Sequence, residues 1–242
     1  MKPRLQASSF PVPGTEILPA AFRELGSRKL LINEFFLSIQ GESSHAGRPC
    51  FFIRLAGCHL RCSYCDTEYA FYEGFKTTVE DCLERAEEAS CPLVEVTGGE
   101  PLLQKSVFAL LAELCDRGFE VLLETSGSVN LRRVDPRVRK IVDVKTPSSA
   151  MEKYNVKKLE EQVGPGDELK IVVSDRDDYE WARQWLEKNS RLAGTELPIF
   201  FSPVHGKLSA DELAAWILAD GLPVRLNLQL HKYLWPDKLR GV

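Results

Sequence analysis

From residue 30 onward, short apolar runs alternate with amphipathic stretches, and no repeat or low-complexity block interrupts them. The runs are FFIRLAG (51–57), LVEVTGG (93–99), EVLLETSG (120–127), KIVDVKT (140–146), ELKIVV (168–173), IFFSPV (199–204) and VRLNLQLH (224–231). Their length and β-branched content read as buried, mainly parallel strands. Between them lie helices. The first opens at Thr77 with Glu80 as capping-box partner and places Val79, Cys82, Leu83, Ala86 and Ala89 on one face. A second carries Val107, Leu110, Leu111 and Leu114, a third Trp181, Ala182, Trp185 and Leu186, and a fourth starts at Ser209 with Glu212. Repeated β-then-α restricts the chain to a wound α/β architecture, either an open sheet or a partial barrel.

Almost every run ends in polar, glycine or charged residues. Cys58 follows the first, Thr97-Gly98-Gly99-Glu100 closes the second, and Glu124-Thr125-Ser126-Gly127 the third. Asp143 and Lys145 mark the fourth and His205 the sixth. In parallel α/β folds ligands sit at that strand edge, so these residues are expected to face one cleft.

A chain of 242 residues suits one large domain. Lys and Arg are outnumbered by Asp and Glu, 31 to 35, which argues against a polyanion-coating surface and a nucleic-acid partner. The opening segment 1–26 lacks the continuous apolar region of a secretory signal, and no stretch approaches the ~18 apolar residues of a membrane span. A cytoplasmic protein without a membrane partner is the expectation. Seven cysteines are an odd number for a disulfide framework and point to metal or redox chemistry.

Cys58, Cys62 and Cys65 form a C-x3-C-x2-C without a fourth ligand. A zinc ribbon brings a second Cys or His pair a dozen or more residues on, yet residues 66–90 hold only Cys82, on the apolar helix face. Cys50, Cys91 and Cys115 read as small buried hydrophobes, and the side chain of His59 as pointing away from its neighbours' centre. An iron–sulfur cluster with four cysteine ligands meets the same shortage. Three thiolates leave one metal position open, the mark of a site that binds a ligand or does chemistry. Gly98 and Gly99 let a strand-end turn approach a ligand closely, or simply form a tight βα turn.

C-x3-C-x2-C after a first strand with GGEP after the second resembles the radical S-adenosylmethionine (SAM) superfamily. Within it, the chain is most similar to the 7-carboxy-7-deazaguanine synthase family of queuosine and deazapurine biosynthesis. The likeness spans residues 32–235 and rests on NEFFLSIQGE, FFIRLAGCHLRCSYCDT, VTGGEPLL, ETSGS, DVKTPSS, LKIVV, FSPVHG and LQLHKYLW.

The resemblance implies an α/β fold, a partial (β/α)6-type barrel in a single domain. Residues 1–29 would be an N-terminal extension and 30–242 the core with a C-terminal segment that closes over substrate. Cys58, Cys62 and Cys65 would hold a [4Fe–4S] cluster whose fourth iron SAM chelates. Gly98, Gly99, Glu124, Ser126 and the Asp143-Val144-Lys145 segment would hold SAM. Ile39, Gln40, Gly41, Glu42, Arg54, Thr97 and His231 would contact the pterin, with Lys232 in the same closing motif, and Thr67 would be a Mg2+ ligand. Bland readings stand beside three of these: Arg54 satisfying a buried partner, Thr67 capping a turn, His231 packed in a strand. Asp66 reads as orienting its loop. Two departures from the family pattern are Ser43, where G-E-G is usual, and the first thirty residues, a surface arm or dimer contact.

The reaction implied is radical ring contraction of 6-carboxy-5,6,7,8-tetrahydropterin with loss of ammonia, SAM being regenerated. An external one-electron reductant of flavodoxin or ferredoxin type and a homodimer are implied with it. The rivals are a glycyl-radical-enzyme activase, which leaves Gln40, Glu42, Arg54 and Thr67 unexplained, and a non-catalytic iron–sulfur or zinc module.

Overall fold

The structure, a computed structural model, describes residues 27–193 and 196–242. The segment 1–26, and with it most of the expected extension, lies outside the described residues. Nine strands form one sheet in the order β3-β1-β2-β4-β5-β6-β7-β8-β9. Strand β1 (Lys29–Ile39) runs antiparallel to both β2 (Pro49–Leu55) and β3 (Phe75–Thr78). From β2 the strands follow in sequence order, each parallel to the last: β4 (Leu93–Gly98), β5 (Glu120–Thr125), β6 (Arg139–Val144), β7 (Glu168–Val173), β8 (Ile199–Pro203) and β9 (Arg225–Leu226). The sheet does not close, consistent with the partial barrel that the resemblance implies and that the strand pattern alone left beside an open sheet.

Six of the seven apolar runs are strands. The seventh, VRLNLQLH, contributes only Arg225–Leu226 before the chain leaves the ladder. Asn227 still donates its N–H to Phe201 O at 2.9 Å, but its buried side chain turns to Ser202 Oγ (2.9 Å). Beyond it the chain winds into a short helix, so the apolar alternation of 224–231 belongs to a docking segment rather than a buried strand.

Six helices complete the described fold: α1 (Val79–Ala89), α2 (Val107–Asp116), α3 (Arg176–Lys188), α4 (Ser190–Ala193), α5 (Ala210–Asp220) and α6 (Leu230–Leu234). The capping box of α1 sits one residue later than expected. Thr78 Oγ1 accepts from Asp81 N at 3.0 Å and Asp81 Oδ2 accepts from Thr78 N at 3.1 Å. Thr77 is taken by β3, opposite Leu30. Ser209 Oγ caps α5 by accepting from Glu212 N, one half of the anticipated box, without the return bond from the Glu212 side chain. The β5–β6 and β6–β7 crossovers hold no α-helix; the second is built from 3-10 turns at Pro147–Ser149, Glu152–Tyr154 and Leu159–Glu161.

A strand's side chains alternate between its faces. On β4 to β8 one set, with Val94, Val96, Leu123, Val142, Ile171 and Phe201, packs into the main apolar core beneath the helices. The other set points into the half-barrel. Gln104 fixes the first strand to the loop after β2: its side-chain Oε1 accepts from Leu31 N (2.8 Å), and Nε2 donates to Leu31 O (2.9 Å) and Ala56 O (3.0 Å).

Candidate active site

The three motif thiols open into one cleft of about 330 Å³ at the C-terminal edge of the parallel strands. Their loop is braced by Arg61, which donates to Cys58 O (2.9 Å) and Leu60 O (2.6 Å) while its guanidinium lies over Phe71, 4.4 Å from the ring centre. Ser63 N ties the loop to Ser149 O at 3.1 Å. All seven cysteines are free. Burial pushes the Cys58 thiol up to about 12, that of Cys65 to about 11, and that of Cys62 upward as well. Such thiols ionise only when a cationic centre compensates, so the set fits an iron–sulfur cluster, whose irons would keep all three deprotonated. Among the described residues no three His, Cys, Asp or Glu side chains converge on a single ion, as a closed zinc site demands.

His59 does not line the cleft; its Nδ1 is buried without a hydrogen-bond partner and its ring stands edge-on to Tyr154. Cys50, Cys82 and Cys91 are core residues, and half-buried Cys115 packs against the same core.

Gly98 and Gly99 border the cleft, but their close approach is to backbone. A Cβ at Gly98 would lie 2.1 Å from Leu55 O, and one at Gly99 2.2 Å from Gly57 O. Their bareness lets the end of β4 press against the loop that delivers Cys58. Glu100, fully buried behind them, accepts from Thr125 Oγ1 (2.8 Å), Ser126 N (2.8 Å) and Leu102 N (3.1 Å), joining the ends of β4 and β5.

The inward strand faces make a layer of charge. Lys170 reaches Glu42 Oε2 at 2.9 Å and also pairs with Glu124, which accepts from Thr97 Oγ1 at 3.0 Å. Burial opposes the charge on Lys170, but Glu124 and Glu42 override it and hold its pKa well above the ordinary value. Glu124 is likewise opposed by burial and pulled below the usual carboxylate range by Lys170. Lys145 pairs with Asp143 Oδ2 at 2.7 Å, while Asp143 Oδ1 is buried with no partner. That unpaired acceptor fits the ammonium or a hydroxyl of SAM.

Arg54 lines the cleft and is already paired with Glu34 Oε1 at 2.8 Å, so the binding and structural readings of this residue coexist. Gln40 is 4% exposed; its amide donates to Glu95 Oε2 (2.7 Å) and accepts from Glu42 N (2.5 Å). Thr67 Oγ1 donates to Asp66 Oδ1 at 2.8 Å, which leaves the hydroxyl lone pairs available to a hard cation. Asp66 also accepts from Gln229 (3.2 Å) and pairs with Lys232 (3.3 Å).

The segment around α6 closes one side. Leu230 N donates to Gly41 O at 3.0 Å, and a Cβ on Gly41 would stand 2.9 Å from His231 Nδ1. His231 is helical, which removes the packed-strand reading. Gln229 bridges Glu42 Oε1 (3.0 Å) and Asp66, joining the loop after β1 to the loop after the cysteines. Ser43 adopts φ 63°, the left-handed turn that the more usual glycine would take, so the turn is kept despite the departure.

Ile39, Gly41, Ser126 and the other anticipated site residues border this cleft, with one exception. The side chain of Val144 faces the apolar core, because alternation along β6 sends Asp143 and Lys145 inward and Val144 outward. Lys170, Glu95 and Gln229 also line the cleft without having been singled out from sequence. The available signal for the first two was a lone charge inside an apolar run.

An open parallel half-barrel with three thiols at its mouth defines a radical SAM enzyme, and residues 52–156 match the radical SAM superfamily. The chain is 49% identical over 216 residues to the 7-carboxy-7-deazaguanine synthase of Chlorobaculum tepidum, covering 88% of this chain and 97% of that one. It is 40% identical to the synthase of Koribacter versatilis, covering 87% of this chain and 99% of the relative. The crystal structure of QueE from Escherichia coli shares the fold with a TM-score of 0.68 at 24% identity, over 83% of this chain and 94% of that one. The chain belongs to the 7-carboxy-7-deazaguanine synthase family of radical SAM enzymes, and the activase and zinc-module readings give way to it. No helix among the described residues is long and apolar enough to cross a membrane.

Proposed function

We propose that the chain converts 6-carboxy-5,6,7,8-tetrahydropterin to 7-carboxy-7-deazaguanine with loss of ammonia, for queuosine or related deazapurine biosynthesis. The observation that carries this reading is the meeting, in one cleft, of the three thiols with the Glu42–Lys170–Glu124 layer and Arg54. Residues 30–242 act as one domain whose C-terminal segment closes over substrate.

When bound, the [4Fe–4S] cluster and SAM supply the one-electron chemistry that starts the reaction. Cys58, Cys62 and Cys65 hold the cluster. The Gly98-Gly99 turn, Glu124, Ser126, Asp143 and Lys145 hold SAM, with Asp143 Oδ1 as the open acceptor. Ile39 to Glu42, Arg54, Thr97 and His231 orient the pterin, and a charge-assisted contact from Arg54 to its carboxylate is worth about 1.5–3 kcal/mol. Thr67 would hold Mg2+ through its hydroxyl, and the ion would supply charge that orients the substrate carboxylate. A flavodoxin- or ferredoxin-type reductant and a homodimer in the cytoplasm complete the reading.

The test is anaerobic reconstitution followed by incubation with SAM, reductant, Mg2+ and the carboxytetrahydropterin. A deazaguanine chromophore dependent on all three cysteines is expected. Release of 5′-deoxyadenosine without that chromophore would overturn the proposal.

A further inference from the structure

Glu95 sits on β4 between Phe52 of β2 and Leu122 of β5, two residues before Thr97 and on the same inward face. It is 2% exposed, borders the cleft, and its Oε2 accepts from Gln40 Nε2 at 2.7 Å. Gln40 is held at every polar group. Its backbone N donates to Arg48 O (2.8 Å), its backbone O accepts from Gly47 N (2.8 Å), and its side-chain oxygen accepts from Glu42 N. The Glu95 contact therefore fixes the amide that fixes the backbone of Glu42.

The charges around this contact do not balance if every carboxyl is ionised. Glu42 from the loop after β1 and Glu124 from β5 share the single ammonium of Lys170 from β7. Neighbouring cations are already matched: Arg54 with Glu34, Lys145 with Asp143, Lys232 with Asp66. From β2, Cys50 adds a buried thiol that burial keeps protonated. Among the described residues Glu95 is left with a neutral amide as its only direct side-chain partner in this layer, and an isolated buried carboxylate is costly.

We propose that Glu95 is held as a neutral carboxylic acid and serves as the positioning residue of the substrate loop, keeping the floor of the cleft at one net negative charge so that an anionic substrate can enter. Burial, then Glu124, pushes its pKa up to about 8 against the hydrogen bond from Gln40, consistent with the charge count. Only the kinetic arm below rests on the proposed synthase activity.

The sign of the linkage follows. A carboxyl whose pKa is raised on folding binds more protons in the native state, so its contribution to stability falls as pH rises from about 4.5 to 8 and is level above that. E95Q keeps an acceptor for Gln40 and carries no charge at any pH. Urea denaturation of the cluster-free protein should show wild type losing stability relative to E95Q across that window; parallel profiles overturn the proposal. Infrared spectra of wild type at pH 7 should carry a protonated-carboxyl band that fades near pH 8 and is missing in E95Q. A wild-type spectrum without that band overturns the proposal even where E95Q does not fold. In turnover assays, the KM for the carboxytetrahydropterin should rise roughly tenfold in wild type between pH 7 and 9 and stay level in E95Q. Equal KM dependence in the two proteins refutes the entry argument, whereas absence of any product defeats the synthase reading and leaves the infrared and stability arms to decide the state of Glu95.

Discussion

The two faces of the same strands do opposite work. Outward from β4 to β7, Val94, Val96, Leu123, Val142 and Ile171 are buried in apolar contact. Inward, Glu124, Asp143, Lys145 and Lys170 put carboxylates and ammonium groups, beside the Glu95 carboxyl and the Thr97 hydroxyl, into a space that burial makes hostile to charge. One residue of shift along a strand exchanges the two sets, so register decides both stability and chemistry. Stability comes from the outward face, and the inward face is expected to reduce it in exchange for a preorganised site.

The sharpest way to break that contrast is Lys170→Met. It strands Glu42 and Glu124 without their shared cation, and losing one partner of a buried pair costs about 3–5 kcal/mol. Urea denaturation should show that loss together with abolished turnover. Adding Glu124→Gln should restore part of the stability and none of the activity. Full recovery of activity in the double variant would contradict a role for the charged layer.

Leu123→Ala probes the other face. The side chain is fully buried, and truncation should cost about 2–5 kcal/mol. The KM for substrate should stay within twofold of wild type below the unfolding transition; a large KM change would mean that the two faces are coupled.

How the sequence exposed one face and hid part of the other follows from the same alternation. Apolar runs with glycine or charge at their ends marked six strands, and the cysteine and Gly-Gly motifs marked the cleft edge. Lys170 and Glu95 escaped because each is a single charge within a run whose overall character is apolar, and only register with neighbouring strands turns it inward. Val144 was grouped with Asp143 and Lys145 by adjacency, where period two separates it. Strands β1 and β3 escaped because Asn33 and Glu34 interrupt the apolar run of the first, and the second is only the four residues Phe75–Thr78, two of them threonine. At 224–231 the alternation was real, but the ladder ends at the Asn227 N–H, and the Asn227 and Gln229 side chains and the Leu230 N–H bond to the loop at 41–43 and to Asp66.

That docking contact supplies a smaller effect. Burial opposes ionisation of Asp66, yet Lys232, Thr67 and Gln229 together lower its pKa to about 2. A carboxylate with a lowered pKa contributes stability above its unfolded value, near 3.8, and loses it as pH falls toward 2. The Asp66 side chain is 45% exposed, so solvent screens the pair and the effect is local. Hydrogen exchange of residues 227–235 should accelerate in wild type as pH drops from 4 to 2, after correction for intrinsic rates, and D66N should already be less protected at pH 5. Identical protection in both would show that Leu230, Asn227 and the Gln229–Glu42 contact hold the closing segment without Asp66.

The smallest effect separates conformation from contact at the turn that joins the two faces of the site. Ser43 takes φ 63°, where a side chain costs about 1 kcal/mol that glycine does not. Its Oγ accepts from His45 N at 3.1 Å, a hydrogen bond worth a similar amount. The two terms oppose each other in S43G, which should lie within about 0.5 kcal/mol of wild type. In S43A the strain stays and the hydrogen bond goes, so S43A should be about 1 kcal/mol less stable. The backbone N–H of residue 43 still reaches Asn227 Oδ1 in either variant, at 3.1 Å in wild type, so the closing segment stays docked and KM should not change. If S43A instead equals wild type, the hydroxyl contributes nothing, and if S43A equals S43G, the left-handed conformation costs the side chain nothing at this position.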